Sequence, residues 1–207
     1  MIIDAHTHYL NAGGITSVEP ANFDPQPGHL YSVGIHPWHT QDVSNDTLQL
    51  LEQYARQPQV VAIGETGMDT LRGAPLDRQT ELFEHHLQLA GRLGKPVVIH
   101  CVRTSQQVLA ACRRLGITVP RAIHGMRSNE RVARPLIDAG FYLSCGPLFN
   151  PATVLATPRD RLLIETDDSG QSIEAVAARI AWVLGLTAPF LQALATANLH
   201  RFITCSS

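Results

Sequence analysis

Short apolar runs alternate with amphipathic stretches along most of the chain. The runs are Met1–Ala5, Leu30–Ile35, Val60–Ile63, Pro96–Ile99, Arg121–Ile123, Gly140–Ser144 and Arg161–Ile164, with a weaker one at Ile15–Val18. Each is bounded by turn-forming or charged residues, as parallel strands buried on both faces are. Between them apolar positions recur at helical spacing. Leu48, Leu51, Tyr54 and Ala55 share one face, and so do Leu82, Phe83, His86, Leu87, Ala90 and Leu93. Val108, Leu109, Ala111 and Cys112 follow, then Val132, Leu136 and Ile137. Gly94, Gly116 and Gly140 stand where these last three helices should stop. Ile173–Leu184 and Phe190–Phe202 predict two closing helices. This alternation predicts an α/β fold, a (β/α) TIM-like barrel. Tyr9–His29 has many turn residues and no helical period, so the barrel is expected to be distorted, with a reduced first βα unit. The connection Phe149–Asp160 also reads as irregular.

Composition narrows the class. The 207 residues suit one domain, 1–207, and 44% hydrophobic with 16% charged residues describes an ordinary globular chain. A formal charge of -2 gives no basic excess of the kind a large nucleic-acid surface needs. The start, Met1-Ile2-Ile3-Asp4-Ala5-His6, has no leader pattern, and no apolar run reaches membrane-spanning length. A cytoplasmic protein without a membrane partner is expected, with a monomer favoured. Cys101, Cys112, Cys145 and Cys205 show no CxxC spacing and read as free thiols, Cys145 lying near the barrel mouth.

The ten histidines change the picture through their positions. The first run ends in Asp4-Ala5-His6-Thr7-His8, and side-chain alternation puts residues 4, 6 and 8 on one face. Other runs lead into Glu65, His100, His124 and Asp167. In a (β/α) barrel the strand C-termini build the active site. Four imidazoles and two carboxylates there meet the needs of two divalent ions, with a carboxylate such as Glu65 bridging. The metal set is therefore His6, His8, Glu65, His100, His124 and Asp167. Such ions lower the pKa of a water molecule, and a nearby carboxylate can take its proton. Zn, Mg and Mn all remain open as the ion.

These residues also carry a resemblance. Asp4-Ala5-His6-Thr7-His8, Gly34-Ile35-His36-Pro37, Ile63-Gly64-Glu65-Thr66-Gly67-Met68-Asp69, Pro96-Val97-Val98-Ile99-His100, His124-Gly125 and Glu165-Thr166-Asp167 resemble, in order, the motifs of the TatD family of metal-dependent hydrolases. The resemblance implies an amidohydrolase-type barrel. It implies that His6, His8 and Asp167 hold one ion, His100 and His124 the other, and that Glu65 bridges. It implies phosphodiester hydrolysis, of the 3′-5′ deoxyribonuclease kind, on a phosphoester substrate such as a DNA end. Asp167, with Glu65, is then the catalytic carboxylate. The chain looks like a compact branch of that family, shortened between His8 and Tyr31 and after Asp168.

His36, at a strand end, is expected to face the substrate. Arg103 and Arg127, just beyond ligand strands, are candidate phosphate contacts. Asp69 reads as a group that fixes its loop or a neighbouring ligand, and Asp4 as a buried support. His29, His39, His85, His86 and His200 read as structural or surface residues. Two other functions stay open: a metal-dependent hydrolase of a small amide, lactone or ester, and a non-catalytic metal-binding accessory protein.

Overall fold

The computed structural model describes residues 3–204. Met1, Ile2 and Cys205 therefore lie outside the described residues. Among the described residues, fifteen strands and α-helices follow one another: β1 (Asp4–Thr7), β2 (Gly14–Val18), β3 (Leu30–Val33), α1 (Asn45–Ala55), β4 (Val60–Asp69), α2 (Leu76–Leu93), β5 (Val97–Val102), α3 (Ser105–Arg114), β6 (Arg121–Ile123), α4 (Glu130–Asp138), β7 (Tyr142–Cys145), α5 (Pro151–Ala156), β8 (Leu162–Ile164), α6 (Ile173–Leu184) and α7 (Ala188–Thr204). The strands form a closed, all-parallel barrel in sequence order, shut where Asp4 of β1 pairs with Ile164 of β8.

Apolar periodicity decides where the layers meet. Leu82, Phe83, His86, Leu87 and Ala90 of α2 are buried together, as their spacing requires. They join a core between strands and helices that includes Val33, Ile63, Val97, Ile99 and Leu143. A second cluster, Ala5, Ile15, Ala62, Val98, Ala122 and Leu163, also takes in Leu199 and Phe202 of α7. Small side chains there leave room for α7, and Phe202 packs edge-on to Tyr142 at 5.2 Å. Ser44 and Ser172 cap α1 and α6 by accepting from Thr47 and Ala175 amides, each worth about 1 kcal/mol.

The reduced first unit is present and extends further than expected. β1 reaches β2 without a helix, and β2 reaches β3 with only a 3-10 turn at Pro20–Asn22. The weak run at Ile15–Val18 is a full barrel strand, β2. The stretch Phe149–Asp160 is not irregular throughout: Pro151–Ala156 is a short helix, capped by Asn150, whose side chain accepts from the Ala152 amide. β4 runs on to Asp69 and β5 to Val102, well past the apolar runs that announce them.

Candidate metal centre

β4 and β1 carry the departures from regular pairing that build the site. Between Ile63 and Thr66, three residues of β4 stand against two of β5, since Ile63 pairs with Val97 and Thr66 with Ile99. This bulge turns Glu65 into the barrel mouth. It needs Gly64: the residue has φ +132°, and a Cβ there would lie 2.3 Å from the Val98 carbonyl oxygen. β1 shifts in the same way between Asp4 and Thr7, which pair with Gly14 and Thr16. That shift breaks simple alternation, so Asp4 does not share a face with His6 and His8. Its carboxylate turns to β8 and accepts from Thr166 N–H at 3.0 Å and Thr166 Oγ1 at 2.6 Å. Burial pushes its pKa up to about 6, against those hydrogen bonds. Asp4 is the buried support the sequence suggested.

The β1–β8 seam continues above Asp4. Asp167 N–H donates to the His6 carbonyl at 3.0 Å, and His8 N–H to the Asp167 carbonyl at 3.3 Å. Asp167 takes a left-handed φ of 55°, a conformation aspartate tolerates better than most residues. The seam thus brings three side chains from opposite ends of the chain to one place.

Glu65 lies at the centre, and its two oxygens have different company. Oε2 is 3.3 Å from His6 Nε2 and 3.4 Å from His8 Nε2, while Asp167 Oδ1 is 3.6 and 3.4 Å from the same two nitrogens. Four ligand atoms on a tetrahedral ion with ~2.1 Å bonds would be roughly 3.4 Å apart. Glu65 Oε2 and His6 Nε2 are both buried and have no hydrogen-bond partner among the described residues. Buried polar atoms without partners are costly, and a cation between them removes the cost. The donor set fits a divalent ion. On the other side, Oε1 lies 2.7 Å from His124 Nε2, 2.8 Å from His100 Nδ1 and 2.9 Å from His36 Nε2. His100 Nδ1 and His124 Nε2 are 3.3 Å apart. These are hydrogen-bond distances, and around Glu65 the metal-capable side chains group as His36, Glu65 and His100, and as His6, Glu65 and His124.

Charge reinforces the geometry. Burial would raise the Glu65 pKa, but the charge on His124 and hydrogen bonds from His100, His124 and His36 hold the carboxyl well below its usual range. Asp167 is held down at about 2: burial opposes this, and the His8 hydrogen bond and the His124 charge outweigh it. Hydrogen bonds to Asp167 and Glu65 lift His8 to about 9. Both carboxylates are ionised at neutral pH and ready for cations.

A supporting layer orients the ligands. His100 Nε2 meets Asp69 Oδ2 at 3.1 Å, which leaves Nδ1 facing Glu65. Asp69 Oδ2 also accepts from Trp38 Nε1 at 2.7 Å, and Oδ1 from Leu71 N–H at 2.7 Å. Asp69 therefore fixes both its loop and a ligand. Gln79 of α2 braces that loop, accepting from Asp69 N–H and donating to the carbonyls of Asp69, Arg72 and Ala74. His86 accepts from Ile35 N–H through Nε2 at 3.0 Å and meets the Leu82 carbonyl through Nδ1 at 2.6 Å, pinning the chain next to His36.

A cavity of about 460 Å³ opens over the centre. All the sequence-derived candidate ligands except His6 line it, together with His36. His6 is buried beneath. Arg103 is a correction: it is exposed and off the lining, because β5 runs two residues past His100 and carries the arginine beyond the mouth. Arg127 lines a smaller neighbouring cavity of about 110 Å³, which it shares with Asp167 and Glu165. Cys145 is a second correction: it ends β7 at the mouth, as its position suggested, but its side chain is fully buried in the core and lines neither cavity. Glu19, Trp38 and His39 line the large cavity, and sequence reading gave none of them a role there. The one available signal was that Glu19 directly follows the β2 run.

Among known families, the one described as TatD related DNase matches residues 23–203. An uncharacterized metal-dependent hydrolase TatD of Mycobacterium tuberculosis is 33% identical over 149 residues, which are 66% of this chain and 56% of that protein. A 3′-5′ ssDNA/RNA exonuclease TatD of Erwinia billingiae is 32% identical, over 69% of this chain and 59% of that protein. The matched region thus spans less than two thirds of either relative. Among solved structures, the TatD homolog YJJV of Escherichia coli superimposes with a TM-score of 0.82 at 24% identity, covering 98% of this chain and 97% of that one. That likeness concerns the fold.

Proposed function

The chain belongs to the TatD family of metal-dependent hydrolases, and on that premise we propose that it hydrolyses phosphodiesters at a two-ion centre, acting on nucleic-acid ends. The observation that carries this is Glu65: one buried carboxylate whose two oxygens each face a separate set of ligand atoms. His6, His8, Asp167 and Oε2 would hold one ion, and His100, His124 and Oε1 the other. Bound divalent ions supply an activated water and offset charge on the phosphoryl oxygens. With an ion bound, Asp69 would hold the His100 proton on Nε2 and leave the Nδ1 lone pair for the ion. Asp167 keeps Oδ1 toward the imidazoles, and its Oδ2 would take the proton of the attacking water. His36 directs Nε2 into the same space and donates to the substrate. Arg127, in the neighbouring cavity, meets a phosphate further along the chain.

Zn, Mn and Mg each satisfy this donor set in part, and reconstitution decides among them. The test uses metal-depleted protein reloaded with each ion. It is assayed on single-stranded DNA, a small phosphodiester, an amide and a lactone. Ion-dependent phosphodiester cleavage is expected, and Asp167→Asn should abolish it while the circular dichroism spectrum stays unchanged. Turnover of the amide or lactone alone would contradict the proposal. One observation favours that second reading: among the described residues, no lysine or arginine lines the large cavity.

A further inference from the structure

The centre opens onto two unlike spaces. The smaller one, beside Asp167, carries Arg127. The larger one has no lysine or arginine among its described lining residues, and its outer wall carries Glu19, Asn22, Trp38 and His39. The guanidinium of Arg72 is stacked on the Trp38 ring at 4.4 Å. The larger space, about 460 Å³, is of a size that holds one compact organic group.

Glu19 is built into this wall. It follows β2, and its Oε1 accepts from His36 N–H at 3.1 Å and meets His39 Nδ1 at 2.7 Å. The side chain keeps 30% exposure. With Oε1 engaged, Oε2 is the oxygen left for a ligand. A carboxylate in that position accepts hydrogen bonds and repels anions. His36 links it directly to the metal centre, since His36 Nε2 contacts Glu65 at 2.9 Å. The indole of Trp38, 40% exposed, adds an apolar wall. Together these groups describe a space for something uncharged that bears a hydroxyl and an apolar ring.

We infer that the large cavity takes the uncharged terminal nucleoside of a phosphodiester, and that Glu19 determines specificity by accepting a hydrogen bond from its free hydroxyl and rejecting a terminal phosphate. This rests on the phosphodiester reading above. The scissile phosphate then lies at the ions, and the remaining chain leaves past Arg127.

Binding tests the inference without turnover. Calorimetry on zinc- or manganese-loaded protein compares thymidine 5′-monophosphate with thymidine 3′,5′-bisphosphate. The two ligands differ only in the phosphate that would meet Glu19. The bisphosphate should bind about tenfold more weakly despite its greater charge, and Glu19→Gln should narrow that gap. The amide oxygen introduced by this substitution still accepts from His36 N–H, so the wall keeps its shape. Equal or tighter binding of the bisphosphate overturns the inference and leaves the phosphodiester reading intact. So does an equal loss for both ligands in Glu19→Gln, since a merely structural role lowers both. If neither ligand binds and only amides or lactones are hydrolysed, the phosphodiester reading fails, and the inference fails with it.

Discussion

On the Oε1 side of Glu65, three imidazole nitrogens lie within 2.9 Å. On the Oε2 side, two lie at 3.3 and 3.4 Å, with Asp167 at similar spacing. The first side holds itself together. His100 rests on Asp69, His36 accepts from Trp38 N–H through Nδ1, and His86 fixes Ile35 beside it. The second side is held open by backbone. The β1–β8 seam fixes His6, His8 and Asp167 at ion-sized spacing, and among the described residues His6 has no hydrogen-bond partner at either ring nitrogen. The two sides get their order from different sources. One draws it from direct hydrogen bonds and their supporting groups, and the other needs a cation to satisfy it.

Breaking the hinge between the two sides has the largest effect. Glu65→Gln removes the charge that both groups of ligands face, so steady-state hydrolysis should fall by at least ~1,000-fold, about 4 kcal/mol of transition-state stabilisation. Bound metal should fall with it.

The next effect isolates the self-supporting side. Burial lowers the His86 pKa to about 4, so the ring is neutral in the native state. The unfolded chain takes a proton on this group near pH 6.5. Its contribution to stability is therefore complete above that pH and is lost as pH falls toward 4. The loss amounts to about 3 kcal/mol. His86→Gln keeps a donor and an acceptor but does not titrate. Urea unfolding of this variant should show a shallower decline in stability between pH 6.5 and 4 than the parent chain does. Parallel declines would show that His86 does not carry the pH dependence.

The smallest effect distinguishes support from ligation. Asp69→Asn keeps the shape of the loop but weakens the hold on the His100 tautomer. Metal affinity or activity should drop ~10- to 100-fold. The loss should fall on one ion, the one beside His100, in a competition titration.

Much of this centre was legible in the sequence because ligands followed directly on apolar runs. His100 and His124 extend β5 and β6 upward, and α2 announced itself through Leu82, Phe83 and Leu87. The bulges at Gly64 and between Asp4 and Thr7 were hidden. They depend on what the neighbouring strand does, and the alternation rule assumes they are absent. Glu19 and Trp38 were hidden for a similar reason. They sit just past the ends of β2 and β3, in segments with no strand or α-helix period of their own, where position comes from tertiary contacts such as Trp38 with Asp69. The short helix Pro151–Ala156 did carry a start signal, Asn150 before Pro151. Its six residues offered too little period to be recognised.

In the proposed arrangement one carboxylate organises two ions. Elemental analysis of the purified chain, saturated with zinc or manganese and then desalted, tests it most directly. Two ions per chain are expected, and fewer in Glu65→Gln. One ion per chain in the parent protein, or an unchanged content in Glu65→Gln, would contradict it.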